Sequence, residues 1–278
     1  MKKHLLSVFI LLVQTLPGFA QQLYQTTKES IAATHTILSE DEWYGFKRIK
    51  FDFGGRTAWI VLPNSEPQPG KPWTWTMQWA EAYVDRTGVP DLLRKGFHHV
   101  TLEAYDTRAD EASLPVLASF QAFLTDTLHL ASKANLVGMS WGGFYSVRYA
   151  THYPQNVNRI YLDAPLLTFH DRKDQSSESI GSWATNHPVN HDWASDPRMP
   201  INMAEQLAET HIPVLLLYGG QDQTVLPENN CEPFAKRFAA AGGNIQITKR
   251  NLFGHHPHGL DPDKTQPIVD FFTKGVFY

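Results

Sequence analysis

The apolar run Asn135-Leu136-Val137-Gly138-Met139 leads into Ser140-Trp141-Gly142-Gly143-Phe144, so a buried strand, a Gly-x-Ser-x-Gly turn and a helix follow one another without a spacer. Few features constrain a fold more. A serine hydroxyl is a poor nucleophile in water and must stand on a sharp turn where a histidine takes its proton and backbone amides hold an oxyanion. Gly138 and Gly142 are expected to make room by removing Cβ atoms where strand and helix meet. Three fixed positions occur by chance in roughly one chain in ten of this size, so the context decides. Pro154 after Tyr149-Ala150-Thr151-His152-Tyr153 stops the helix.

Around this turn the chain alternates strands and helices. Residues 43–62 read as a β-hairpin turning at Gly54-Gly55, and 63–70 as a loop. Pro72 to Thr76 is a short strand, Met77 to Tyr83 begins a helix-like run, and Phe97 to Leu102 is the next strand. Residues 111–130 carry Leu114, Leu117, Phe120, Phe123, Leu124 and Leu128 at three- and four-residue spacing, which predicts an amphipathic helix. Arg159 to Asp163 is a further buried strand, and 167–205 is a long insertion without period, read as a lid or pocket wall after the sixth strand. Ile212 to Tyr218, a helix near 229–241, Ile245 to Thr248 and a last helix near 267–274 complete the series. The fold class is α/β: a mostly parallel sheet with helices on both faces.

Ligands in such sheets sit beyond the carboxyl ends of the strands. Asp222 follows the Leu-rich strand, and Gly254-His255-His256-Pro257-His258 follows the last one. The order Ser140, Asp222, His255 then assigns a nucleophile, an orienting carboxylate and a general base. His255 is preferred over His256 and His258 because it directly follows Gly254, and Asp163, also at a strand end, is the rival acid. The oxyanion donors are expected at the Trp141 amide and at Trp75 or Thr76. Trp73 and Trp183 are candidates to stack on substrate. No metal or other cofactor is expected. Neighbouring histidines 255 and 256 point apart, and Pro188 spoils the helix that the His187/His191 spacing needs.

Lys2 and Lys3, the apolar run Leu5 to Leu16 and the small residues Gly18 and Ala20 read as a secretory signal cleaved after Ala20. The mature domain is then 21–278, periplasmic or secreted, with no membrane attachment, since the run is short for a span. Cys231 is the sole cysteine, which excludes an intrachain disulfide. The formal charge of −4 becomes −6 when the two lysines leave, which argues against a nucleic-acid partner.

On Gly138-Met139-Ser140-Trp141-Gly142-Gly143, Gly220-Gln221-Asp222 and Gly254 to His258 the chain resembles the α/β-hydrolase superfamily, from about Trp43 to Phe277. Gly70-Lys71-Pro72-Trp73, Lys95-Gly96-Phe97-His98 and the His-His-Pro-His loop are similar to a group of exported bacterial hydrolases associated with carbohydrate breakdown. That resemblance implies a serine esterase acting on a small-molecule or glycan ester, and its Gly-His-x-Pro-His pattern places the base at His255. Arg commonly follows the nucleophile in that group, whereas this chain has Trp141. A peptidase or amidase on the same three residues, or a non-catalytic binding module using the aromatic residues, are the alternative expectations.

Overall fold

The computed structural model describes residues 16–170, 172–187 and 191–274. Nine strands form one sheet: β1 Ile37–Trp43, β2 Phe46–Phe53, β3 Arg56–Val61, β4 Trp73–Thr76, β5 His98–Leu102, β6 Ala134–Met139, β7 Val157–Asp163, β8 Val214–Gly219 and β9 Ile245–Arg250. Their spatial order is β1-β2-β3-β5-β4-β6-β7-β8-β9. The β1 to β3 meander joins β5 antiparallel, and every later pairing is parallel. Gly54 and Gly55, both at positive φ, make the β2–β3 turn as read from the sequence. Strand β1 was not anticipated, so the long insertion follows the seventh strand and not the sixth.

The helices are α1 Leu16–Ala32, α2 Val89–Arg94, α3 Ser113–Asp126, α4 Trp141–His152, α5 Ser177–Ile180, α6 Ser182–Thr185, α7 Ala204–Glu209, α8 Cys231–Ala240 and α9 Gln266–Thr273. Side chains alternate across a strand, and the two faces of the sheet bury different helices accordingly. Leu136, Val214 and Leu216 join Leu117, Phe120, Val147 and Phe234 on one face. Val137, Leu215 and Leu217 join Leu92, Leu93, Ile268 and Phe272 on the other. Each fully buried Leu or Phe contributes roughly 1.5–3 kcal/mol, so the sheet position of the site rests on two cores.

The expected cleavage point lies inside α1, which runs through Ala20 into residues 21–32 and places Ile31 in the core. Residues 1–15, the charged and apolar parts of the expected signal, lie outside the described residues. No described helix is long and apolar enough to cross a membrane. Met77 to Tyr83 is not helical: Trp79 and Tyr83 both take positive φ, which an α-helix of L-residues does not tolerate.

Candidate active site

Strand β6 delivers Ser140 to the carboxyl edge of the sheet, and α4 begins at the next residue. Ser140 itself sits at φ +49°, ψ −117°, a conformation that costs a non-glycine residue about 1–3 kcal/mol. Its amide donates to Asp163 O at 3.0 Å, and its carbonyl accepts from Gly143 N and Leu166 N, so the turn is fixed on both sides. The glycines divide the work differently from the motif-based expectation. A Cβ on Gly138 would stand 2.6 Å from Ser146 Oγ and 2.8 Å from Gly142 O, and one on Gly143 would stand 2.3 Å from Pro165 Cβ. A Cβ on Gly142 meets nothing nearer than Gln78 N at 3.5 Å, an ordinary contact.

His255 Nδ1 donates to Asp222 Oδ2 at 2.6 Å, and its Nε2 stands 3.1 Å from Ser140 Oγ. Asp222 is buried, and its other oxygen accepts from Thr224 N at 2.8 Å and Val225 N at 2.9 Å. Burial opposes its charge, yet the bonds from His255 and from these amides outweigh it and hold the carboxyl below the ordinary aspartate range. Among the described residues His255 alone bridges the serine and a carboxylate. His256 stacks on Tyr83, and burial together with His255 and His258 lowers its pKa. His258 donates from Nδ1 to Asp163 Oδ1 at 2.8 Å, so the rival acid and a rival base form a second buried pair of their own.

That second pair fastens the loop. Asp163 Oδ2 also accepts from Gly259 N at 2.6 Å and from the Tyr161 hydroxyl at 2.5 Å. Arg86 Nε donates to His258 O at 2.8 Å, while Arg250 donates to Gly259 O at 2.7 Å and Pro257 O at 3.0 Å. The partner of Asp163 in this pair lies 95 residues away, which no local signal reports.

Ser140 opens into a cavity of about 340 Å³ whose walls include Trp79, Tyr83, Leu166, Arg172, Val225 and His258. Arg172 comes from the insertion, which therefore walls the site in part. Four other expectations require correction. The amides of Trp75 and Thr76 lie within β4 at ladder positions against β5 and β6, and both side chains are buried. Beyond the strand, Met77 N is also spent, on Val137 O at 3.1 Å. Gln78 N and Trp79 N have no acceptor among the described residues, and Trp79 lines the cavity with Ser140. Trp141 N, at the start of α4, has none either. Trp73 is fully buried with its indole N–H on Ala131 O, so it is core. Trp183 is buried, donates to Arg108 O, and faces a different cavity bounded by Asp110, Glu111 and Arg198.

Two side-chain groups have metal-like donor sets: His255, His256 and His258, and His187, His191 and Asp196. In the first, two of the histidines already give Nδ1 to carboxylates, and the Nε2 of His255 faces Ser140. In the second, His187 and His191 meet at 4.3 Å between ring centroids without a helix to align them. The Arg198 guanidinium bonds both oxygens of Asp196 and Nε2 of His187, at 2.7 Å from the latter. A cation already fills the place a metal would take, and these donors do not fit an ion beside it.

Strand order, the serine turn and the loops carrying Asp222 and His255 together decide the fold. It is the alpha/beta-hydrolase fold. The alpha/beta-hydrolase family model matches residues 90–188. A putative carboxymethylenebutenolidase of Salmonella typhimurium is 27% identical over 184 residues, covering 59% of this chain, and the chain spans 58% of that relative's length. The alpha/beta-hydrolase architecture is also shared with an S-formylglutathione hydrolase from Agrobacterium tumefaciens (TM-score 0.58, 14% identity, 85% of this chain and 95% of that one). Mycobacterium tuberculosis MPT51 aligns with TM-score 0.57 at 12% identity over 84% of this chain and 98% of its own. Porphyromonas gingivalis dipeptidyl peptidase 4 gives 0.59 at 14% identity, covering 85% of this chain but 35% of its own.

Proposed function

We propose that this chain is an exported serine hydrolase that cleaves carboxylic esters through an acyl-enzyme. The observation that supports it most directly is the unbroken contact from Asp222 through His255 to Ser140, at 2.6 and 3.1 Å, on a strained turn that opens into a largely apolar cavity. Asp222 holds the His255 tautomer with Nδ1 protonated, leaving Nε2 to accept the Ser140 proton as Oγ attacks the ester carbonyl. The resulting oxyanion is met by the Trp141 amide and by an unspent amide of the segment that follows β4, at Gln78 or Trp79. His255 then returns the proton to the departing alcohol oxygen, and the acyl group remains on Oγ. Water, deprotonated by the same Nε2, attacks the acyl carbon and releases the acid, restoring Ser140.

Export is supported by the charged and apolar leader, and a carbohydrate-linked or small acyl ester by the similarity of the His-His-Pro-His loop to carbohydrate-associated hydrolases. The curated relative's description as a putative carboxymethylenebutenolidase is likewise compatible with ester cleavage. The test is turnover of short-chain aryl esters by residues 21–278, beside Ser140→Ala and an active-serine fluorophosphonate label. Turnover and labelling that both vanish in folded Ser140→Ala support an esterase. Labelling without ester turnover points to a peptidase or amidase, and absence of both in folded wild-type protein favours a binding module.

A further inference from the structure

A second cavity, of about 490 Å³, adjoins the first and shares Trp79 and Ala82 with it. Trp59, Gln78, Glu81, Glu103 and Tyr105 form the rest of the wall that matters here. Trp79 stands between the two spaces, 43% exposed, whereas Trp59, Trp73 and Trp75 are fully buried. Its φ of +62° is one that side-chain-bearing residues rarely adopt. An exposed indole on strained backbone is held at an energetic cost, and such features cluster where a ligand is gripped. Tyr105 approaches it at 4.5 Å between ring centroids, tilted by 53°, giving the cavity two aromatic surfaces.

The polar groups narrow the ligand class. Gln78 is buried, and its Nε2 has no hydrogen-bond partner among the described residues. Glu103 is exposed and carries no ion pair among them. Glu81 accepts from Trp43 Nε1 at 2.8 Å and from Arg48, so its charge is already matched. The Arg108 guanidinium lies 3.6 Å above the Tyr105 ring and donates to the carbonyls of Tyr105, Glu178 and Ser179. With the Tyr105 ring already covered by a cation, the cavity makes a poor cage for an ammonium group. An aromatic face for ring C–H groups, a carboxylate to accept hydroxyls and an unmatched amide suit a neutral polyol.

We propose that this cavity binds the alcohol half of the ester as a neutral, polyhydroxylated ring stacked on Trp79, with Glu103 accepting its hydroxyls, while the acyl half occupies the Ser140 cavity against Leu166 and Val225. This rests on the esterase reading, and the tests separate the two. Binding of methyl glucoside, galactoside and xyloside to Ser140→Ala protein, read by tryptophan fluorescence and saturation-transfer NMR, requires no catalysis. At least one glycoside is expected to bind, with its Kd raised about tenfold in Ser140→Ala carrying Glu103→Ala. In the Ser140 enzyme, the ratio of kcat/KM for the monoacetylated glycoside to that for 4-nitrophenyl acetate is expected to fall about tenfold with Glu103→Ala. Choline binding in place of the glycosides, binding of none of them, or an unchanged ratio overturns the proposal. Loss of fluorophosphonate labelling in the Ser140 enzyme, by contrast, overturns only the esterase reading.

Discussion

Gly138, Ser140 and Gly143 are the residues at which backbone geometry and chemistry meet. Ser140 takes positive φ so that its hydroxyl faces His255, and the space behind it is free only because two neighbours lack Cβ atoms. Gly138→Ala is therefore expected to destabilise the protein by about 1–3 kcal/mol through overpacking against Ser146 and Gly142. Gly142→Ala meets only an ordinary contact in a helix, and its urea stability should stay within about 1 kcal/mol of the parent. Equal losses in the two variants would refute this division. Replacing Asp222 with Asn leaves the shape but holds His255 in the wrong tautomer; kcat on an aryl ester should drop about 10⁴-fold, with far-ultraviolet dichroism unchanged. The motif made Ser140, Asp222 and His255 legible at this scale, because each lies in the turn or short loop that follows a strand. It misassigned Gly142, since a pattern of letters carries no distances.

Two connecting segments complete the site. The loop 254–259 carries His255 but is fastened at its far end, where Asp163 at the tip of β7 receives His258, Gly259 and Tyr161. Asp163→Ala would leave these buried donors without their acceptor, and a loss of about 3–5 kcal/mol in urea denaturation is expected. Asp163→Asn retains an acceptor for Gly259 N and should recover part of that loss together with ester turnover. Equal stability of the Ala and Asn variants would count against the fastening role. The other segment follows β4. Its helix-like run of small and aromatic residues, Met77 to Tyr83, instead turns through positive φ at Trp79 and Tyr83 to bring one indole between two cavities. Nothing in three- or four-residue spacing distinguishes such a turn from a first helical turn, which explains why the second oxyanion donor was placed inside the strand.

The sheet as a whole couples burial to pH. His98 and His99 lie side by side on central strand β5, both buried, and burial lowers the pKa of each to about 3. The unfolded chain protonates them near pH 6.5. Between those values the unfolded state holds more protons, so stability rises with pH across this window and levels off above it. Urea denaturation at pH 7, 6 and 5 should show stability falling on acidification, with a slope approaching about 1.4 kcal/mol per pH unit for each histidine below pH 6. A flat profile from pH 7 to 5 would contradict neutral burial. The amino-acid sequence by itself determined the alternation of strands and helices, the serine turn and the order of the three residues around it, because hydrophobic period and turn chemistry are set by neighbours a few positions apart. Strand β1, the continuation of α1 beyond Ala20 and the burial of Trp73 and Trp183 were decided by packing. So were the pairing of Asp163 with His258 and the exposure of Trp79. These depend on which elements the sheet sets side by side, across separations such as the 95 residues between Asp163 and His258, and only the closed tertiary structure brings such groups within reach.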